Sequence, residues 1–168
     1  PDALEFLWVV DFPLLAYAPE EQKWNAVHHP FTRPKAEDLP LLDAGEYGKV
    51  RAEAYDVVLN GVEIGGGSIR IHEPDVQARI FEVLGIPPEK QQILFPHLLK
   101  AFRFGAPPHG GVALGVDRLV MLAVGTENIR DVVAFPKNNR GEDLMMNSPT
   151  PAEPRQLREL GIQPTKKL

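Results

Sequence analysis

The stretch that decides the fold is Ala54-Tyr55-Asp56-Val57-Val58-Leu59-Asn60-Gly61-Val62-Glu63-Ile64-Gly65-Gly66-Gly67-Ser68-Ile69-Arg70-Ile71. Two segments rich in β-branched residues flank Asn60-Gly61, a dipeptide that tolerates the positive φ angles of a two-residue type I′ turn. The sequence therefore predicts a β-hairpin. Its predicted pairs are Leu59 with Val62, Val58 with Glu63, Val57 with Ile64 and Asp56 with Gly65.

The apolar residues of the second strand change parity within this hairpin. Val62 and Ile64 are at even positions, whereas Ile69 and Ile71 are at odd ones. We expect a β-bulge in the triple glycine between them, because a bulge moves every later side chain to the opposite sheet face. The side chains that then share one face above a glycine floor are Asp56, Glu63, Ser68, Arg70 and His72.

Two interpretations of this polar face remain open. Asp56, Glu63 and Arg70 form either an ion-pair network on a solvated surface or a ligand site. The three consecutive glycines favour a ligand site. A solvated face gains nothing from the backbone entropy that glycine costs, whereas a flat ligand packing against the sheet requires the missing side chains.

Composition excludes several classes of protein. The 168 residues have a hydrophobic fraction of 43%, which is ordinary for a globular domain. There is no cysteine, so disulfides, thiolate zinc sites and cysteine nucleophiles are excluded. No apolar segment has the length of a membrane span, and no secretory signal pattern is present. The formal net charge of −5 argues against a broad nucleic-acid-binding surface.

Residues outside the hairpin predict further elements. The nearly continuous apolar segment 4–12 is typical of a central strand covered on both faces. Helices are expected over 74–85, 88–94 and 96–103, and the apolar stripe of the third, which includes Leu98 and Phe102, is interpreted as core packing. Because Pro30 keeps the preceding residue extended, His28 and His29 should point to opposite sides of a loop, so at most one enters a given pocket.

A glycine-rich segment, residues 105–122, predicts a loop, a strand and then a helix. Its Gly110 to Gly115 spacing matches a P-loop, but Val116-Asp117 follows in place of Lys-Ser/Thr, so that interpretation fails. No dinucleotide-binding Gly-x-Gly-x-x-Gly follows a strand either. Arg118 falls in the first turn of the helix, where a cation is disfavoured unless an anion binds there. We therefore expect an anion site at Arg118.

These motifs together resemble a known family. Gly-x-Ala-Leu-Gly-Val-Asp-Arg-Leu at 111–119 resembles motif 3 of the class II aminoacyl-tRNA synthetases. Four further segments resemble the bacterial-type aspartyl-tRNA synthetases and occur in the order found in that family. They are His28-His29-Pro30-Phe31-Thr32, Ala54-Tyr55-Asp56, the Asn60 to His72 segment with its triple glycine, and Phe135-Pro136-Lys137. The resemblance extends nearly end to end.

The resemblance implies a role for individual positions. Arg70 would bind the side-chain carboxylate of L-aspartate, and His28 would lie near its ammonium group or close the pocket. Asp56 and Glu63 would hold Mg²⁺ against the ATP phosphates. Arg118 would bind ATP together with Glu63 and the Gly115-Val116-Asp117 turn, and Glu63 and Arg118 would be the catalytic pair.

The resemblance also implies a reaction. The α-carboxylate of aspartate would attack the α-phosphorus of ATP to give aspartyl-adenylate and pyrophosphate, and the aspartyl group would pass to the terminal adenosine of aspartate-specific tRNA. Whether asparagine-specific tRNA is also charged stays open. The full-length enzyme is expected to be a cytoplasmic homodimer of protein biosynthesis that is not bound to membranes.

The resemblance is incomplete in one respect. Motifs 1 and 2, the inserted domain and the anticodon-binding domain have no counterpart in residues 1–168. We therefore expect an α+β fold, an antiparallel sheet flanked by helices, that forms the C-terminal portion of a class II catalytic domain and is inactive alone. The alternatives are a non-catalytic, truncated synthetase-like binding module and an asparaginyl-tRNA synthetase.

Overall fold

The chain divides into two compact units, Pro1–Leu119 and Val120–Leu168. The computed structural model describes residues 3–165. The strands are β1 (Phe6–Val9), β2 (Leu15–Ala18), β3 (Lys23–Ala26), β4 (Ala54–Leu59), β5 (Val62–Ile69) and β6 (Gly110–Leu114). The helices are α1 (Leu39–Asp43), α2 (Pro74–Val83), α3 (Pro88–Leu94), α4 (Pro96–Phe104), α5 (Val116–Val124) and α6 (Pro154–Glu159).

An antiparallel sheet dominates the first unit, as the sequence predicts. Its strand order is β1-β4-β5-β6, and β2 pairs with β3 in a separate hairpin. The predicted helices over 74–85, 88–94 and 96–103 appear as α2, α3 and α4, within one or two residues of their expected ends. The α+β class is therefore confirmed. None of the helices among residues 3–165 is long and apolar enough to cross a membrane.

The β4–β5 hairpin turns at Asn60-Gly61, whose φ angles of 49° and 81° are those of the predicted turn. The pairs nearest the turn are also as predicted, Leu59 with Val62 and Val58 with Glu63. The next two are wrong, because the register shifts between Val57 and Val58 and Ile64 becomes the extra residue. Val57 therefore faces Gly65, and Asp56 faces Gly66.

The bulge lies one residue before the triple glycine, so the glycines have another role. A Cβ atom at Gly65 or Gly67 would collide with backbone oxygen atoms of β6, and one at Gly66 would collide with the Asp56 carboxylate. Gly65 and Gly67 thus let β5 and β6 approach closely, which corrects the expectation that all three glycines form a floor for a ligand. Gly111 of β6 has open space above it and leaves that part of the face uncovered.

β1 contradicts the prediction of a central strand covered on both faces. It pairs with β4 and has no second neighbour within residues 3–165, and all four of its residues are exposed. Phe6 and Trp8 retain 61% and 60% of their accessible surface. The apolar sequence indicated burial, but no element of the described chain packs over this strand.

The core of the first unit includes residues of the loop that precedes β4. It is formed by Leu14, Leu15, Leu42, Val50, Ala52, Ala54, Ile71 and Ile80. Arg51, beside this core, binds the buried Asp38 carboxylate through its Nε and Nη2 atoms, both at 2.8 Å. These hydrogen bonds lower the pKa of Asp38 to about 2. The Arg51–Asp38 pair thus fixes the loop that leads into β4.

Candidate functional site

The candidate site begins at Arg70, directly after β5. Its backbone N–H donates to the carbonyl oxygen of His109 at 2.9 Å, which fixes the base of the side chain. Arg70 lines a cavity of about 530 Å³. The other lining residues are His29, Phe31, Ile71, Leu98, Phe102 and His109. No carboxylate within residues 3–165 forms an ion pair with Arg70, so its charge is available to an anion that enters the cavity.

His29 holds one arm of the Arg70 guanidinium. Arg70 Nη1 donates to Nδ1 of His29 at 3.1 Å, and the backbone N–H of Phe31 donates to the same nitrogen at 3.2 Å. A ring nitrogen that accepts from N–H groups carries no proton, so this network assigns the Nε2–H tautomer. Burial, and then the positive charge of Arg70, lower the pKa of His29. A neutral His29 therefore orients Arg70 through a hydrogen bond and adds no positive charge beside the guanidinium.

The structure brings His29, rather than His28, to the cavity. The ring of His28 is exposed and packs edge-on against Phe12, with ring centroids 5.0 Å apart. The expectation that only one of the two histidines enters a pocket is consistent with this arrangement. The contact of His28 with the ammonium group of aspartate stays a prediction.

The wall of the cavity was missed by sequence analysis. Leu98 and Phe102 of α4 line it, although their spacing predicted core packing alone. A helical stripe that faces a cavity has the same period as one that faces a core, so the sequence carries no signal to distinguish them. Phe31, which also lines the cavity, meets Phe95 edge-on at 5.2 Å between ring centroids, and this contact braces the loop that carries His29.

Arg118 and Glu63 meet at the other end of β5. Arg118 lies in the first turn of α5, as predicted. Its Nη1 atom donates to the Glu63 carbonyl oxygen at 2.6 Å and lies 3.1 Å from Glu63 Oε1. The two side chains are 43% and 53% exposed. Because an exposed ion pair contributes only about 0–1 kcal/mol, a ligand can displace it at little cost.

The predicted site residues lie along β5 and do not form one cluster. Glu63 and Arg70 belong to opposite ends of an eight-residue strand and the residue after it. At a rise of about 3.3 Å per residue, their Cα atoms are up to about 23 Å apart. Asp56, opposite Gly66, and Ser68 lie between these ends. An extended ligand could therefore contact Arg70 with one end and Glu63 or Arg118 with the other.

The acidic residues of the described chain do not form an all-protein metal site. Residues 3–165 contain no group of three or more His, Cys, Asp or Glu side chains that could hold a metal ion. Mg²⁺ usually binds one or two carboxylates and completes its shell with water and substrate phosphates. Asp56 and Glu63 are two carboxylates that such an ion could use, and in the structure Glu63 is paired with Arg118.

A larger cavity, of about 620 Å³, lies between α2 and α3 but does not fit an anion. Its lining is Ala78, Glu82, Gly85, Ile86, Pro87, Pro88 and Gln91. This set contains one carboxylate and no cation. The cavity beside Arg70 is therefore the better candidate for an acidic ligand.

The fold and the motif 3 segment agree with comparisons to known proteins. The model of the family described as tRNA synthetases class II (D, K and N) matches residues 1–139. The chain belongs to this family of class II tRNA synthetases.

Individual relatives narrow the similarity. The aspartate–tRNA(Asp/Asn) ligase of Methylacidiphilum infernorum is 60% identical over 159 residues, which are 95% of this chain and 26% of that protein. The aspartate–tRNA ligase of Bacteroides thetaiotaomicron is 56% identical over 156 residues, or 93% of this chain and 26% of that protein. The predicted resemblance to bacterial-type aspartyl-tRNA synthetases is thus confirmed. The chain spans about a quarter of the length of these relatives.

Solved structures agree on the fold. The aspartyl-tRNA synthetase of Entamoeba histolytica is similar with a TM-score of 0.59 and 28% identity, over 82% of this chain and 23% of that one. The asparaginyl-tRNA synthetase of Pyrococcus horikoshii has a TM-score of 0.57 and 23% identity, over 80% of this chain and 26% of that one. At that identity the second likeness concerns the fold alone.

Proposed function

We propose that this chain is the C-terminal portion of the catalytic domain of an aspartate–tRNA ligase, and that its Arg70 cavity binds L-aspartate. The observation that carries the proposal is a guanidinium with no carboxylate partner in the described chain, on a cavity of about 530 Å³. Its planar fork matches a carboxylate in a bidentate pair. The relatives named aspartate–tRNA ligases support the choice of aspartate.

Binding at Arg70 would orient the amino acid for its reaction. The side-chain carboxylate would pair with the N–H groups of Arg70 that His29 leaves free. The α-carboxylate would then point along β5 toward Asp56 and Glu63. Its attack on the α-phosphorus of ATP forms a carboxyl–phosphate bond, breaks the α–β phosphoanhydride and releases pyrophosphate. No side chain need act as a nucleophile, so positioning is the main contribution of the chain.

The ATP end would be bound by Arg118, Glu63 and the Gly115-Val116-Asp117 turn. Arg118 would exchange the Glu63 carboxylate for a phosphate oxygen, which is a small loss because the pair is exposed. Asp56 and Glu63 would hold Mg²⁺ once Glu63 is released. When bound, that ion neutralises charge on the phosphates.

The partners follow from the same assignment. The full-length protein would transfer the aspartyl group to aspartate-specific tRNA. The relatives include both an aspartate–tRNA ligase and an aspartate–tRNA(Asp/Asn) ligase, so charging of asparagine-specific tRNA is a question for experiment. We place the full-length protein in the cytoplasm as a homodimer.

The test is aspartate-dependent exchange of pyrophosphate into ATP by the full-length protein, with asparagine and no amino acid as the two comparisons. Exchange with aspartate alone is the expected result. Exchange with asparagine alone would identify an asparaginyl-tRNA synthetase. Aspartate binding without exchange would identify a non-catalytic binding module. Charging of the two purified tRNAs then decides the tRNA specificity.

A further inference from the structure

A separate basic cavity lies wholly within the second unit. It has a volume of about 370 Å³. Its lining is Arg130, Pro136, Lys137, Asn138, Asn139, Arg140 and Leu144. Three of these seven residues are cations, in a chain whose formal net charge is −5. The lining thus combines three cations with no carboxylate, although the chain as a whole is acidic.

Neutral acceptors hold the first of these cations. Arg130 Nε donates to the carbonyl oxygen of Lys137 at 2.9 Å, and Arg130 Nη2 donates to Oδ1 of Asn139. Within residues 3–165, none of Arg130, Lys137 and Arg140 forms an ion pair. None of the three cations therefore has a carboxylate in direct contact within the described chain.

The nearby acidic side chains are engaged by neutral donors. Asp131 accepts from the hydroxyl of Thr126 at 2.7 Å and from Nδ2 of Asn128 at 3.3 Å. Glu142 accepts from Nδ2 of Asn138 at 2.6 Å. A third carboxylate, Asp143, accepts through Oδ1 from the backbone N–H groups of Met145 and Met146, both at 3.0 Å. All three carboxylates thus have hydrogen-bond partners other than the cations of the cavity.

The loop that carries the cations is ordered by Asn138. Its Oδ1 atom accepts from the backbone N–H of Arg140 at 2.9 Å and from that of Glu142 at 3.0 Å. Lys137 and Asp143 form a bridge between the two arms of this loop. The cations are thus presented from a hydrogen-bonded loop rather than from a free tail.

We propose that this cavity binds a phosphate group. The Arg140 guanidinium supplies a planar pair of N–H donors that matches phosphate oxygens. Arg130 adds the N–H groups that Lys137 and Asn139 leave free, and the Lys137 ammonium adds a point charge. An RNA backbone or a pyrophosphate carries several negative charges and can neutralise several cations at once, whereas a single carboxylate neutralises one. The phosphate belongs either to the backbone of an RNA strand or to a free anion such as pyrophosphate.

The test compares two double variants of the full-length protein. Lys137→Gln/Arg140→Gln removes two exposed cavity cations, and Arg155→Gln/Arg158→Gln removes two cations of α6 that do not line the cavity. The probes are a mixed-sequence single-stranded RNA and inorganic pyrophosphate, each measured over a range of salt concentrations.

If RNA is the source, the cavity variant should bind RNA on the order of tenfold more weakly. The slope of log affinity against log salt should also fall by about 1.4, because each lost contact to a single strand removes about 0.7. If a free anion is the source, pyrophosphate binding falls while RNA binding is unchanged. Wild-type binding of both probes by the cavity variant, or an equal loss in the α6 variant, would overturn the proposal. Arg140→Glu should weaken binding further.

The outcome is independent of the aspartate site. Aspartate-dependent exchange should be unchanged in the cavity variant, because its residues lie outside the Arg70 cavity and outside the Glu63–Arg118 pair. If the wild-type protein shows no exchange, the proposed function fails, yet the phosphate measurement still decides the role of the basic cavity.

Discussion

Arg70→Lys should weaken aspartate activation in the full-length protein far more than it affects ATP. In the structure, His29 occupies Nη1 of Arg70 at 3.1 Å, and the remaining N–H groups are free for a carboxylate. A single lysine ammonium cannot both donate to His29 and form a bidentate pair with the aspartate carboxylate. A lost hydrogen bond to a charged group costs roughly 1.5–3 kcal/mol. At about 1.4 kcal/mol per factor of ten, kcat/KM for aspartate should fall roughly 10- to 150-fold.

The assay is pyrophosphate exchange at varied aspartate and at varied ATP, with the KM for ATP expected to stay near that of the wild type. Arg33→Lys is the matched control. Arg33 lies 3.1 Å from the Glu73 carboxylate and 3.7 Å from that of Glu53, and it does not line the cavity. A kcat/KM for aspartate within about threefold of wild type in Arg70→Lys, or an equal loss in the control, would refute the assignment of Arg70.

Three further predictions follow from other contacts. If Asp56 and Glu63 share one magnesium ion, exchange by the double alanine variant should fall far less than the product of the single losses; independent losses would mean separate roles. Because its arginine partner lowers the pKa of Asp38 to about 2 from 3.8, the free energy of unfolding should decline as pH falls from about 4 to about 2, and Asp38→Asn should flatten that decline in urea titrations. The 168-residue chain should form no adenylate and should self-associate through the exposed β1. In sedimentation, the Phe6→Ser/Trp8→Ser variant should therefore be a smaller species than the wild-type chain. Unchanged association of this variant would mean that another surface mediates it.

The elements that could be predicted from the sequence depend on local rules. Turn chemistry at Asn60-Gly61, proline at helix starts and glycine at helix ends gave the hairpin, three helices and the position of Arg118. The exposed β1 could not be predicted, because an apolar segment does not indicate which element covers it. The bulge at Ile64 was placed one residue too late, since glycine marks where a bulge is tolerated, whereas the pairing with β4 decides where it occurs.

The candidate site was predicted in composition but not in arrangement. Asp56 lies in β4, Glu63 lies near the start of β5 and Arg70 directly follows β5, as expected. The length of β5, however, separates Glu63 from Arg70. The choice between His28 and His29 depends on which side of their loop faces the cavity, whose lining combines residues about seventy positions apart in the chain. Neither periodicity nor the adjacent proline contains that information.

Asn60 does more than form a turn. Its Oδ1 accepts from the backbone N–H of Glu5 at 2.8 Å, and its Nδ2 donates to the carbonyl oxygen of Ala3 at 3.2 Å. The hairpin can form within microseconds from neighbouring residues, whereas β1 must close a loop of about fifty residues to join it. The turn therefore offers the late strand a fixed docking point. Glycine at this position would preserve the turn and the backbone hydrogen bond to Glu5 but remove both side-chain contacts, so β1 would detach more readily.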